Sequence, residues 1–146
     1  MKKALILVGI LFVALLVFAG LLISERLDNV NNRAEIVKYL AQGIQENSLA
    51  AEMEGERVSL NQSHSARLLE ILCWGQAERR REWNAPANYK EKITLYMGDL
   101  ALTLYELHGS PQTNIIEKDI GGRKRWSSLE KYNLVMWLKK AVGFEE

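Results

Sequence analysis

Few residues in this chain are equipped for chemistry. There is one cysteine, Cys73, and there are two histidines, His64 and His108. Structural zinc needs four Cys or His ligands, usually in Cys-x-x-Cys or His-x-x-x-His spacing. Neither spacing occurs, and no calcium-loop pattern is present, so no metal and no cofactor are expected. Ser63, His108 and Asp99 supply the residue types of a nucleophilic triad, but no Gly-x-Ser-x-Gly elbow accompanies them. Glu70, Glu78 and Glu82 could offer a carboxylate pair for glycoside hydrolysis. Their neighbours Arg79, Arg80 and Arg81 make solvated surface charge the simpler reading. Gly121-Gly122-Arg123-Lys124-Arg125 matches no phosphate-binding loop. A lone cysteine forms no internal disulfide, and Leu-Leu-Glu-Ile-Leu-Cys-Trp around Cys73 reads as a small buried apolar site.

Binding is a better prospect than catalysis. Two basic clusters are each followed by a tryptophan: Arg79, Arg80 and Arg81 before Trp83, and Arg123, Lys124 and Arg125 before Trp126. Arg and Trp are over-represented among interface hot spots. These eight residues are the candidate binding site. On the plainer reading Trp74 and Trp137 lie in the core and the other two tryptophans cover it. A net charge of +1 gives no overall field that would draw nucleic acid or an anionic surface.

The elements that must position them begin with residues 4–23, an uncharged apolar run behind Lys2 and Lys3. About 20 apolar residues at 1.5 Å each match a ~30 Å hydrocarbon core. The run exceeds the roughly 7–15 residues of a secretory signal. Cleavage after Ala19 would expose Leu21, Leu22 and Ile23 at a new terminus. Residues 1–24 are therefore expected to be a retained single-pass inner-membrane anchor, with the bulk of the chain on the periplasmic side. Residues 25–55 follow as an amphipathic stalk. Leu27, Val30, Ala34, Val37, Ala41, Ile44, Ser48 and Ala51 step by three and four, a heptad seam. Ile36, Tyr39 and Leu40 widen it and favour packing within the chain, with a coiled-coil homodimer through residues 27–51 as the other outcome. Gly43 is a tolerated helical glycine, and Gly55 is expected to end the helix.

Residues 56–146 read as a small helical domain. A helix is expected over 61–83, broken by Asn84-Ala85-Pro86. Residues 92–107 satisfy two templates. As a helix, Ile93, Met97, Leu100, Leu104 and Leu107 share a face, and Gly109 with Pro111 ends it. As a hairpin, Gly98-Asp99 turns, and Met97 pairs with Leu100, Leu95 with Leu102, and Ile93 with Leu104. The neighbouring segments read as helices, and a lone hairpin is marginal, so helix is preferred. Ser110-Pro111 starts a short helix that stops at Gly121-Gly122. Ser127-Ser128-Leu129-Glu130 reads as a capping box opening the last helix, closed by Gly143.

The expected fold is all-α: an anchor, a helical stalk and a small four-helix domain, with an α+β fold carrying a hairpin at 92–107 as the alternative. Its layout resembles phage inner-membrane spanin subunits and four-helix sensor ectodomains; no motif of either is matched. The expected function is a membrane-anchored, non-enzymatic protein-binding module of the bacterial cell envelope, its partner an envelope protein. A small enzyme acting on cell-wall glycan is one alternative. A cytoplasm-facing anchor binding anionic lipid or nucleic acid through its basic clusters is another.

Overall fold

Glycine-marked turns set the architecture. In the computed structural model, which describes residues 2–73, 79–80 and 84–144, Glu54-Gly55 and Gly121-Gly122 both place two successive residues at positive φ. That is the backbone of a type I′ turn, whose twist matches that of the strands it joins. Gly98 (φ +60°) opens the Gly98-Asp99 turn, and Gly109 (φ +73°) lies in the next one. Each joins two antiparallel strands.

The element order is α1 (Lys2–Gln45), β1 (Ala50–Met53), β2 (Glu56–Ser59), α2 (Gln62–Leu72), β3 (Arg79–Arg80), β4 (Tyr89–Met97), β5 (Leu100–Leu107), β6 (Ser110–Ile120), β7 (Arg123–Glu130) and α3 (Leu134–Val142). The strands form one antiparallel sheet in the order β2-β1-β4-β5-β6-β7-β3. Four of them, β4 to β7, are a meander. The β1–β2 hairpin extends one edge of that meander, and two-residue β3 borders the other.

The all-α expectation is overturned. Residues 92–107 are the β4–β5 hairpin, in the register Met97↔Leu100, Leu95↔Leu102, Ile93↔Leu104. The expected helix after Pro111 is β6, and Ser127-Ser128 pairs within β7 instead of capping a helix. Gly55 turns a hairpin instead of ending a helix, because α1 already stops at Gln45 and the chain enters β1. The expected helix over 61–83 is α2, which closes at Leu72 with Cys73 as its C-cap. Gly143 does close α3, at φ +86°.

All three helices pack on one face of the sheet. The core joins Ile36, Tyr39 and Leu40 of α1, Leu68 and Leu72 of α2, and Leu134, Val135, Leu138 and Val142 of α3 to Ile93, Leu95, Met97, Leu100, Leu102, Leu104, Ile116 and Leu129 of the strands. Fully burying one such side chain contributes roughly 1.5–3 kcal/mol. Alternation along a strand sends every second residue to this layer. Gly43 sets how closely α1 approaches. A Cβ there would lie 3.1 Å from the Gly98 nitrogen and 3.2 Å from the Met97 Cα, so the helix rests directly on the β4–β5 turn.

The seam is not one helical stripe: α1 ends at Gln45, so Ser48 and Ala51 fall outside it and Ala51 is buried in β1, while the part on α1 faces away from this contact. Leu27, Val37 and Ile44 are exposed, whereas Ile36, Tyr39 and Leu40 are buried. The coiled-coil reading is corrected accordingly: α1 packs within its own chain, through the residues that had only widened the stripe.

The anchor is corrected too. Among the described residues no helix is long and apolar enough to cross a membrane. This finding overturns the transmembrane span over 4–23. The single-pass inner-membrane, periplasm-facing placement built on it falls with it.

Candidate functional site

Strand alternation divides the second basic cluster between the two faces of the sheet. Arg125 lies opposite Lys118, on the helical face. There Glu35 of α1 bridges both cations, and Lys118 Nζ also donates to Asn32 Oδ1 at 2.8 Å. Burial pushes the Glu35 carboxyl upward, but the Arg125 hydrogen bond and the charges of Lys118 and Arg125 outweigh it and hold it below the usual value. Lys124 points to the other face and pairs with Glu117 at 2.6 Å.

Trp126 shares that face with Tyr105, ring centroids 6.1 Å apart, and Tyr89 meets Tyr105 edge-on at 5.3 Å. The Tyr105 hydroxyl donates to Glu117 at 3.3 Å. Burial, then the Glu117 charge, pushes the phenol up to about 12. Lys124 and Arg125 are thus paired with carboxylates on opposite faces, and the cluster is not one continuous cationic patch. Its packing role explains the residue types without any ligand.

The first cluster lies beside the second. Arg79 is in register with Ser128 and Arg80 with Ser127 on neighbouring β7, so the fold brings together strands 43 or more positions apart in the sequence. Arg81, Trp83, Trp74, Glu78 and Glu82 lie outside the described residues.

The remaining chemical candidates resolve into structural roles. His64 belongs to the N-terminal capping box of α2, where Asn61 Oδ1 accepts from Ser63 N at 3.0 Å and His64 Nδ1 accepts from Asn61 N at 3.2 Å. His108 is exposed in the β5–β6 turn, not at a helix end. Cys73 is half-buried at the end of α2, and burial pushes its thiol up against the opposing pull of Arg33. Asp99 sits in the β4–β5 turn, where its N–H donates to Gln42 of α1 at 3.4 Å. Among the described residues no group of three His, Cys, Asp or Glu side chains could hold a metal.

A different arrangement emerges between α2 and α3. Arg67, Glu70 and Ile71 recur on one stripe of α2, and Trp137, Lys140 and Ala141 on the facing stripe of α3. With Lys131 they line a cavity of about 450 Å³. A second cavity, about 340 Å³, continues it past Arg67 and Lys140 to Ser63, His64 and Gly143. Lys131 is held in place: its N–H donates to the Gln112 carbonyl at 2.6 Å, and its own carbonyl accepts from Asn114 Nδ2 at 2.7 Å. Trp137 is 52% exposed at the groove, not in the core.

No family model, no curated protein and no solved structure matches this chain. Function has to be argued from the surfaces themselves.

Sequence reading missed the groove. The helical spacings were visible, but the facing of α2 and α3 depends on the sheet beneath them. The other unassigned surface is α1. From Ile10 to Ile23 its large apolar side chains are 47–64% exposed, and the stripe continues through Leu27, Val37 and Ile44.

Proposed function

We propose that this chain is a non-enzymatic protein-binding module that engages its partner along the outward stripe of α1. The observation that carries this reading is the exposure of Leu27, Val37 and Ile44 on a helix whose opposite face is already packed on the sheet. Contiguous exposed apolar surface of this kind marks an interaction site. The sheet and its three helices then act as the platform that holds α1 in one orientation. The enzyme alternative draws less support. Glu70 is the one carboxylate lining the groove among the described residues, and glycoside chemistry needs two. The lipid or nucleic-acid alternative rests on the basic clusters, in which Lys124 and Arg125 are already paired with carboxylates on opposite faces of the sheet.

A photo-reactive amino acid placed at Val37 or Ile44 tests the proposal. The expected result is one discrete protein adduct in cells of the source organism, absent when the probe stands at exposed Gly121. An adduct of twice the chain's mass identifies the partner as a second copy. Adducts to lipid alone, or to nothing, reject the reading.

A further inference from the structure

Some cations of this domain are paired, and others, Arg57, Lys92 and Arg123 among them, make no ion pair among the described residues. Lys90, Lys118, Lys124, Arg125 and Lys139 each pair with a carboxylate. Arg67, Lys131 and Lys140 make no ion pair among the described residues, yet the fold gathers them around one groove. Like charges repel, and Glu70, the one carboxylate lining the groove among the described residues, leaves the cations in excess there. Lys131 is held there at both backbone groups, and its Nζ donates weakly to the Ile71 carbonyl at 3.5 Å. The groove floor is not polar: Ile71, Ala141 and the exposed indole of Trp137 form it.

We infer that this groove binds an acidic peptide segment of a protein partner. Arg67, Lys131 and Lys140 receive its carboxylates, and Trp137 with Ile71 receives an apolar side chain between them. The two adjoining cavities, about 450 and 340 Å³, have the size of a ligand-binding cleft. Glu70 sits among the cations as an acceptor for a backbone N–H of the peptide. A polyphosphate chain would set denser negative charge against Glu70 than a peptide whose carboxylates are spaced by neutral residues. The chain's net charge of +1 supplies no long-range attraction for a nucleic acid either. This site uses none of the α1 side chains, so it stands or falls separately from the reading above.

The test is a selection from a random twelve-residue peptide library on the full-length protein, discarding peptides that the variant Arg67→Glu with Lys140→Glu also retains. Enriched peptides are expected to be rich in Asp and Glu around a Leu, Phe or Trp. An enriched peptide should bind at least tenfold more weakly to the double variant and to its own Gln-for-Glu, Asn-for-Asp counterpart. Replacing its apolar residue by Ser should weaken binding to the native protein and not to Trp137→Ala. The altered side chains are exposed, and thermal melting checks that each variant is folded; if the double variant unfolds, Lys140→Gln replaces it, with an expected threefold loss. Enrichment of uncharged peptides, no enrichment, or equal affinity for the charge-reversed protein overturns the inference. So does a single-stranded DNA 20-mer, or a vesicle of phosphatidylglycerol and phosphatidylcholine, that binds more tightly than the peptide and is lost on charge reversal.

Discussion

Tyr105 and Glu117 show how one paired site shapes stability. The phenol lies buried against the carboxylate, which accepts from it and repels its ionised form. Its pKa of about 12 exceeds the unfolded value near 10. The folded state therefore holds this proton more tightly. The resulting stabilisation is complete below pH 10 and is lost as pH rises to about 12. A titration of tyrosinate absorbance should show a late step at about 12 from Tyr105, with Tyr96 also raised by burial and by Glu52. Tyr105→Phe should remove that late step and flatten the alkaline decline of the melting temperature. An unchanged titration in the variant would show that Tyr105 ionises like the other tyrosines. The same scale explains why the sequence misdirected the binding site. Arg123, Lys124 and Arg125 look like a patch when read consecutively, but on a strand neighbours point to opposite faces. Lys124 then meets Glu117 on one side and Arg125 meets Glu35 on the other, while Arg123 stays exposed.

Between elements, the contact of α1 with the β4–β5 turn rests on two glycines. Alanine at an ordinary helical glycine gains about 1 kcal/mol. At Gly43 any side chain meets the Met97 and Gly98 backbone within 3.2 Å, and overpacking costs about 1–3 kcal/mol. Gly43→Leu should therefore lose about 1–2 kcal/mol net, read as a lower urea midpoint. Gly20→Ala, with nothing within 4 Å of the new Cβ, should leave the midpoint in place or raise it. Equal midpoints for the two variants would mean that α1 does not rest on the turn. The strands themselves were partly legible. Glycine turns at Gly98, Gly109 and Gly121-Gly122 recur at a spacing of one strand plus one turn, the signal of a meander. The hairpin register of Ile93 through Leu104 was also visible as the alternative. Helix won the sequence reading because apolar residues at 93, 97, 100, 104 and 107 satisfy the 3.6 period as well as the alternating one. What decides between them is pairing, and a strand's partners lie outside its own segment.

The whole molecule divides into a packed body and a projecting helical arm. Side chains from Ile10 to Ile23 are exposed, while Ile36 and Leu40 sit in the core. Removing residues 1–24 should leave the fold intact. Surface changes stay within about 0.5 kcal/mol, which corresponds to a melting shift of roughly 2–4 °C at most. Leu40→Ala, by contrast, should cost about 2–5 kcal/mol. A large loss on removing the arm would mean that it packs on the body. The amino-acid sequence alone determined the apolar run, the start of a helix near Asn61, the close of the last helix at Gly143, the glycine breaks between elements, and the absence of zinc-ligand and nucleophile-elbow motifs. Those features are local: each depends on residues a few positions apart. Only the tertiary structure decided that residues 92–130 are a sheet, that the face of α1 bearing Val37 and Ile44 is left open, and that Arg67, Lys131 and Lys140 converge. Those depend on cross-strand hydrogen bonds and helix-on-sheet packing between distant segments, and no local spacing specifies them.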